Sequence, residues 1–229
     1  MLEFINSLKN TTYYEKLILN SKVIMLYIGG SQSVKLTNSK NDYDLIAIVD
    51  DSKPIDMSNS LLLTYKGKKV HWYYWPLSDF LSCNLGNLWL IGSIYFRNID
   101  ESLIIYKNKT YTDLINKILL KKFEISKLAI YKLLNAKHPV ILRTLEQAKR
   151  GKLECYTKLI YHLCIAIYYL TGETLNTELL NNLKASNPIL NVNDLIIINN
   201  YLSNGLAFIK KFPVDYEKEL SDLYDELSR

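Results

Sequence analysis

The sequence is poor in the residues that define several protein classes. Its 229 residues include only 3 cysteines, 8 glycines and 5 prolines. The cysteines, Cys83, Cys155 and Cys164, are odd in number and form no CxxC pair, which argues against a disulfide framework and against a zinc site. Buried free thiols are typical of a reducing compartment, so we expect a cytoplasmic protein.

Long apolar runs are also missing. The first ten residues, MLEFINSLKN, contain an acidic side chain and no apolar stretch after a basic segment, unlike a secretory signal. The most apolar run, at 159–170, is too short to span a bilayer and contains His162. It predicts a buried helix with a core histidine, and no membrane partner is expected.

Neither sign of charge dominates the chain. Twenty-eight basic and 23 acidic residues give a net charge of +5, which permits a polyanionic partner without requiring one. Apolar residues make up 48% of the chain and charged residues 22%. These proportions exclude a disordered protein and predict a globular fold with a full core.

The periodicity of apolar residues changes near residue 110. Before it, short apolar segments bounded by turn residues predict strands at 23–28, 43–50, 61–65, 69–75 and 102–107. A helix is predicted at 3–19, and residues 77–97 are predicted to be helical in two pieces around 84–86. After it, a 3.6-residue period predicts helices near 111–135, 139–150, 153–171, 176–185, 192–210 and 215–228. We therefore predict an α+β protein, with a sheet domain at 1–110 and an all-helical domain at 111–229.

The most informative segment joins the first two predicted strands. An apolar strand ends at Gly29, Gly30 and Ser31, ten residues follow, and Asp42 and Asp44 begin the next strand. Paired glycines allow a sharp turn and a close approach to a ligand, and backbone N–H groups there can bind a triphosphate. The serine hydroxyl can add a hydrogen bond. Carboxylates two residues apart on an extended chain point to the same side, where they can hold Mg²⁺.

This arrangement resembles the nucleotidyltransferase superfamily typified by DNA polymerase β. Its small bacterial members carry Gly-Ser, about ten residues, and Asp-x-Asp, here Gly30-Ser31 and Asp42-x-Asp44. The resemblance covers about the first hundred residues and implies a small mixed β-sheet nucleotidyltransferase domain. An all-α helical-bundle domain often follows, as in aminoglycoside nucleotidyltransferases and poly(A)-polymerase-like enzymes. The helical domain would then close the cleft and bind the acceptor.

The resemblance also implies a reaction. A nucleoside monophosphate passes from an NTP, with ATP as the family-level expectation, to an acceptor, and pyrophosphate is released. Mg²⁺ or Mn²⁺ is the implied cofactor, held by Asp42 and Asp44 as metal ligands and catalytic residues. The acceptor stays open among RNA such as tRNA, a protein side chain and a small molecule, and the oligomeric state is also open.

One residue of the family pattern is missing. Active members carry a third acidic residue on a later strand, facing the pair, but the strand at 69–75 has no Asp or Glu. His71 stands at the corresponding position, and its imidazole can ligate a metal or accept a proton, although it is softer than Mg²⁺ prefers. An ordinary hydrogen-bonded histidine is the other interpretation, and Asp56, Asp100 and Glu101 are alternative acids. The gap leaves a second hypothesis: a nucleotide-binding relative without turnover, acting as a partner module of toxin–antitoxin or phage-defence type.

Other candidates have two interpretations each. Ser33 and Lys35, close behind the glycine pair, are candidates for phosphate contacts or are solvated loop residues. The aromatic run from His71 to Trp75 predicts either strand packing or a stacking surface for a base. The basic segments at 107–127 and 138–152 predict either a surface for an RNA acceptor or a solvated helix face.

Overall fold

A computed structural model gives the fold of the chain. It describes residues 2–12, 14–15, 18, 23–33, 42–51, 63–81, 96–134, 146, 150, 153–173, 175–185, 189–211 and 215–228. The chain divides into two compact units. The first comprises residues 1–85, 91–126 and 220–229, and the second comprises 86–90 and 127–219.

The first unit is built on a five-stranded sheet. Its strands are β1 (Val23–Gly29), β2 (Tyr43–Val49), β3 (Leu63–Tyr65), β4 (Lys68–Pro76) and β5 (Ile104–Lys107), arranged in the order β3-β4-β2-β1-β5. β2 and β4 are parallel, whereas the other neighbouring pairs are antiparallel. The sheet is therefore mixed.

Helices account for most of the remaining described chain. They are α1 (Leu2–Lys9), α2 (Leu77–Leu81), α3 (Thr112–Leu120), α4 (Lys122–Leu134), α5 (Leu153–Thr171), α6 (Thr177–Lys184), α7 (Val192–Lys211) and α8 (Tyr216–Ser228). The predicted α+β class, with a small mixed sheet and a helical part, is confirmed. None of the helices in the described ranges is long and apolar enough to cross a membrane.

Two predicted helices are interrupted. The helix predicted at 3–19 stops at Lys9, because Thr11 Oγ1 donates to the Leu8 carbonyl at 2.7 Å and accepts from the Tyr14 N–H at 3.1 Å. A threonine that satisfies backbone groups in this way ends one helical turn and caps the next. The helix predicted at 111–135 is divided at Lys121, whose backbone (φ −93°, ψ 12°) leaves the helical region. The helix predicted at 139–150 falls almost wholly outside the described residues.

Helix α1 covers one face of the sheet. Phe4 stacks on Tyr43 with ring centroids 3.9 Å apart and meets the edge of Tyr65 at 5.1 Å. Tyr43 is buried while the next residue, Asp44, is half-buried, as the two-residue period of a strand requires. The carboxylate of Asp44 thus belongs to the sheet face opposite α1.

Aromatic side chains cover the other face beyond its aspartate end. Phe80 of α2 packs against Trp75 at 5.4 Å and Phe96 at 5.1 Å between ring centroids, and Tyr27 lies 5.4 Å from Phe96. Burial of such rings contributes a few kcal/mol each. These ring contacts link Tyr27 of β1 to Trp75 of β4 through Phe96 and Phe80.

The second unit contains a closely packed group of helices, in which α5 contacts α6 and α7. A side chain at Gly205 of α7 would lie 2.6 Å from atoms of Ile167 on α5, so the glycine permits a close approach of the two helices. The Tyr201 hydroxyl donates to the Glu173 carbonyl at 2.6 Å. These contacts fasten α7 to the C-terminal part of α5 and the residues that follow it.

The stability of this unit is expected to depend on pH through His162. Burial, followed by the charges of Lys158 and Lys184, lowers the pKa of His162 to about 3 from 6.5. Below pH 6.5 the unfolded chain binds a proton at His162 that the folded chain does not bind. The contribution of neutral His162 to the free energy of unfolding is therefore fully present above pH 6.5 and is lost as the pH falls toward 3. The free energy of unfolding should drop by about 2 kcal/mol between pH 7 and pH 5.

Urea unfolding of wild type and His162→Leu at both pH values measures this effect as a difference. The leucine variant lacks the titrating group, so it should lose about 2 kcal/mol less than the wild type over the same range. His71→Gln, in the other unit, should lose at least as much stability as the wild type, because the raised pKa of His71 makes its own contribution to stability grow as the pH falls. Equal losses in wild type and His162→Leu would disprove the assignment.

Candidate functional site

Three strand ends meet at one edge of the sheet. Gly29, the last residue of β1, pairs with Asp44 near the start of β2, and Asp44 in turn pairs with His71 near the start of β4. The glycine turn, the second aspartate and the histidine named from the sequence therefore lie side by side. The parallel pairing of β2 with β4 places the last two on the same face.

The glycine pair is explained by the crowding around it. Gly30 has φ +60°, and an added Cβ would overlap Asp44 Oδ2 and lie 2.9 Å from its Cγ. A Cβ at Gly29 would overlap the Ile46 side chain. The backbone of the turn therefore packs directly on the Asp44 carboxylate, which only glycine allows.

The turn continues as a short 3-10 helix over Gly30–Ser33, which includes Ser31. The Ser33 hydroxyl donates to the Gly30 carbonyl at 2.8 Å, a hydrogen bond within the turn that stabilises it. Lys35, also predicted to contact phosphate, lies outside the described residues. Successive N–H groups in such a turn are suited to an anion.

Asp42 is tied to the neighbouring strand. Its Oδ1 accepts the backbone N–H of Lys69 at 3.1 Å. This bond joins the segment before β2 to the start of β4. The negative charge of Asp42 also acts on His71.

His71 is electrostatically coupled to the aspartates. Its Nδ1 lies 3.5 Å from Asp44 Oδ1, and both side chains are half-buried, with 31% and 21% exposed. Hydrogen bonding to Asp44 raises the pKa of His71 above 6.5, and the charges of Asp44 and Asp42 add to the rise, while burial and Lys69 oppose it. The imidazole is therefore a stronger base than an isolated histidine.

Tyr73 interacts with Asp44, although the sequence motif does not include it. Burial raises the pKa of its phenol well above 10, and the charge of Asp44 and a hydrogen bond to it raise the pKa further. The hydroxyl is thus a donor to Asp44 that stays protonated. The available signal was strand alternation, which places Tyr73 on the His71 face two residues further along.

The alternative acids have other partners. Asp100 accepts from the Ser102 N–H at 2.8 Å and from its hydroxyl at 2.5 Å, capping a 3-10 turn. Glu101 pairs with Lys107 at 2.6 Å. Asp56 lies outside the described residues. His71 is thus the residue for which the structure records a contact with Asp44 at the position of the third acid.

The carboxylates offer a divalent cation part of a coordination shell. Within the described ranges, no group of three His, Cys, Asp or Glu side chains is arranged to hold a metal ion. Mg²⁺ commonly takes only one or two carboxylates and completes its octahedron with water and substrate phosphates. Asp42 and Asp44 supply hard oxygen ligands of that kind, so the chemistry of the donor set fits Mg²⁺.

The aromatic run and the basic segments predicted from the sequence each had a structural and a functional interpretation. Trp72, Tyr74 and Trp75 are buried, as strand packing predicts. Lys121 pairs with Glu226 at 3.0 Å and Arg150 with Glu146 at 3.0 Å, so part of the predicted basic surface is neutralised. Much of the segment at 138–152, including Arg143, Lys149 and Lys152, lies outside the described residues.

The comparison with solved structures finds a low level of similarity. No protein-family model matches the sequence, and no curated protein matches it significantly. A solved structure of a nucleotidyltransferase-like protein from Exiguobacterium sibiricum 255-15 aligns with 88% of this chain and 74% of that chain, with 13% identity and a TM-score of 0.31.

Proposed function

We propose that the chain is a nucleotidyltransferase that moves a nucleoside monophosphate from an NTP, with ATP as the expected substrate, to an acceptor and releases pyrophosphate. One observation carries the proposal: the glycine turn, Asp44 and His71 adjoin at a single sheet edge, in register. An anion-binding turn, a carboxylate pair and a base are the parts that phosphoryl transfer needs.

The turn would receive the triphosphate. Backbone N–H groups of Gly30–Ser33 offer donors to phosphate oxygens, and the positive φ of Gly30 leaves room for close approach. Asp42 and Asp44 would hold Mg²⁺ or Mn²⁺. When bound, such a cation neutralises charge that develops on the phosphoryl oxygens.

His71 would accept the proton of the acceptor. With Nδ1–H directed at Asp44, Nε2 would carry the lone pair that accepts the proton. As the acceptor oxygen bonds to the α-phosphorus, the α–β bridging bond breaks, pyrophosphate leaves, and the proton passes to Nε2. Asp44, held by Tyr73, keeps the ring in this tautomer.

Replacing His71 by Gln should lower the transfer rate by about a hundredfold, because a positioned general base contributes at least that much. Glutamine keeps a hydrogen-bonding side chain at the strand position but cannot accept the proton. Single-turnover transfer at saturating NTP measures the effect, and calorimetric NTP affinity should stay within about twofold of wild type. A variant that transfers at the wild-type rate would remove His71 from the mechanism.

A second candidate is a relative that binds nucleotide without turnover. The observation in its favour is that a histidine replaces the third carboxylate of the family pattern. Incubation with each α-labelled NTP, Mg²⁺ or Mn²⁺ and a cell extract containing total RNA separates the candidates. Label on an acceptor supports the enzyme, whereas tight NTP binding with no transfer under either metal supports the binding protein.

A further inference from the structure

We propose that an exposed cluster of Arg97, Lys122, Phe123 and Leu120 binds the unpaired end of a nucleic-acid strand and presents it to the site as the acceptor. We call these four residues the Phe123 platform. The role of this strand as the acceptor rests on the proposed transferase function. The binding of single-stranded nucleic acid does not.

The platform combines exposed apolar surface with positive charge. Phe123 is 53% exposed, although large aromatic side chains are usually buried. The Arg97 guanidinium carbon lies 5.2 Å and the Lys122 Nζ 5.6 Å from the centre of its ring. Leu120, three residues earlier, is a second large apolar side chain with high exposure, at 77%. The two cations lie over the ring, so positive charge suited to phosphates adjoins the exposed part of an aromatic side chain on which a base can stack.

The platform lies at the same end of the sheet as the site. β5 runs antiparallel to β1, with Ile104 opposite Tyr27, so the segment before β5 is beside the glycine end of β1. Lys122 Nζ donates to the Ile99 carbonyl of that segment at 2.9 Å. The Arg97 N–H donates to Ser126 Oγ at 2.9 Å, which joins the segment to α4. The cluster is therefore fixed to the sheet rather than carried on a free loop.

The chemistry favours a strand over other anionic ligands. An acidic peptide would use the two cations but leave Phe123 and Leu120 in water. A single nucleotide is usually enclosed by its site, whereas this surface is open. Two exposed apolar side chains on successive helices provide room for more than one base. Lys121 does not belong to the platform, because it is paired with Glu226.

The test measures the binding of full-length protein to a fluorescein-labelled single-stranded RNA of about 12 nucleotides. DNA of the same sequence and the RNA duplex are tested in parallel by anisotropy at roughly 50 and 200 mM salt. Phe123→Ala should weaken single-strand binding about 5- to 10-fold, whereas Phe123→Trp should restore it. Arg97→Gln should lower the salt slope by about one unit.

Tyr168→Ala is the matched control, because Tyr168 is an exposed aromatic residue of the other compact unit. It should bind RNA as the wild type does. Three results would overturn the proposal: wild-type RNA affinity in Phe123→Ala, binding of polyglutamate as tight as that of RNA, or an equal loss of ATP affinity in Phe123→Ala. The last result would assign the platform to the base of the NTP.

The two proposals can fail separately. Asp44→Asn should keep wild-type RNA affinity, since Asp44 is not part of the platform. Phe123-dependent RNA binding without transfer to any acceptor would support the platform and refute the transferase function. Transfer to a protein or small molecule at the wild-type rate in Phe123→Ala would support the transferase and overturn the platform as its acceptor site.

Discussion

Replacing Asp44 by Asn is expected to lower nucleotidyl transfer by about a thousandfold and to leave the fold intact. Asparagine has the same shape but no charge, so it would lose the cation ligand and the anionic partner of His71 together. Charge stabilisation at a bound cation is worth several kcal/mol, and each 1.4 kcal/mol is a factor of ten in rate. Single-turnover transfer of labelled nucleotide, with the thermal midpoint as a fold check, measures the effect.

Asp42→Asn should have a similar effect on rate, because the amide oxygen can still accept the Lys69 N–H while the charge is lost. Asp50→Asn is the matched control. Asp50 follows the far end of β2 and accepts from the Tyr111 hydroxyl at 2.5 Å, so its variant should transfer at the wild-type rate. An Asp44→Asn protein within about tenfold of wild type would contradict the assignment of the carboxylate to the reaction.

Gly30→Ala is expected to cost both stability and activity. The fold would hold the alanine at φ +60°, a backbone angle that costs a non-glycine residue about 1–2 kcal/mol. Its methyl group would also overlap Asp44 Oδ2 and push the carboxylate from its position. Displacement of a catalytic group by about 1 Å can cost roughly a hundredfold in rate, and a loss of that size is expected in single-turnover transfer.

The sheet provides a control for the backbone strain alone. Gly67, in the turn between β3 and β4, has φ +76° and nothing within 4 Å of an added Cβ. Gly67→Ala should therefore lose only the part of the stability that backbone strain costs, about 1–2 kcal/mol by urea unfolding, and keep wild-type transfer. If the two alanine variants transferred equally well, close packing of the turn on Asp44 would have no catalytic role.

Much of the sheet could be predicted because local pattern determines it. Apolar segments bounded by turn residues predicted the bounds of β1, β2 and β4 to within one or two residues. The motif spacing also identified Gly30 and Asp44, which the structure places next to each other. These signals are local, so a single sequence contains them.

What could not be predicted depends on contacts between distant segments. No local pattern states that β4 pairs with β2 in parallel, and that pairing alone brings His71 and Tyr73 to Asp44. The interruption at Thr11 was missed because apolar periodicity continues across it, while the threonine hydroxyl competes for backbone groups. Similarly, the exposure of Phe123 depends on how α3 and α4 meet at Lys121, which periodicity does not specify.

The buried aromatic residues of β4 also control which side chain reaches the site. Side chains alternate along a strand, so a shift of β4 by a single residue against β2 would place Trp72 beside Asp44 and turn His71 to the opposite face. Such a shift would expose the indole of Trp72 and the ring of Tyr74, both buried in the native pairing. Packing residues with no chemistry of their own thereby select the imidazole over an indole, and substitutions that shrink them are expected to produce misaligned, inactive sheets before they produce unfolded protein.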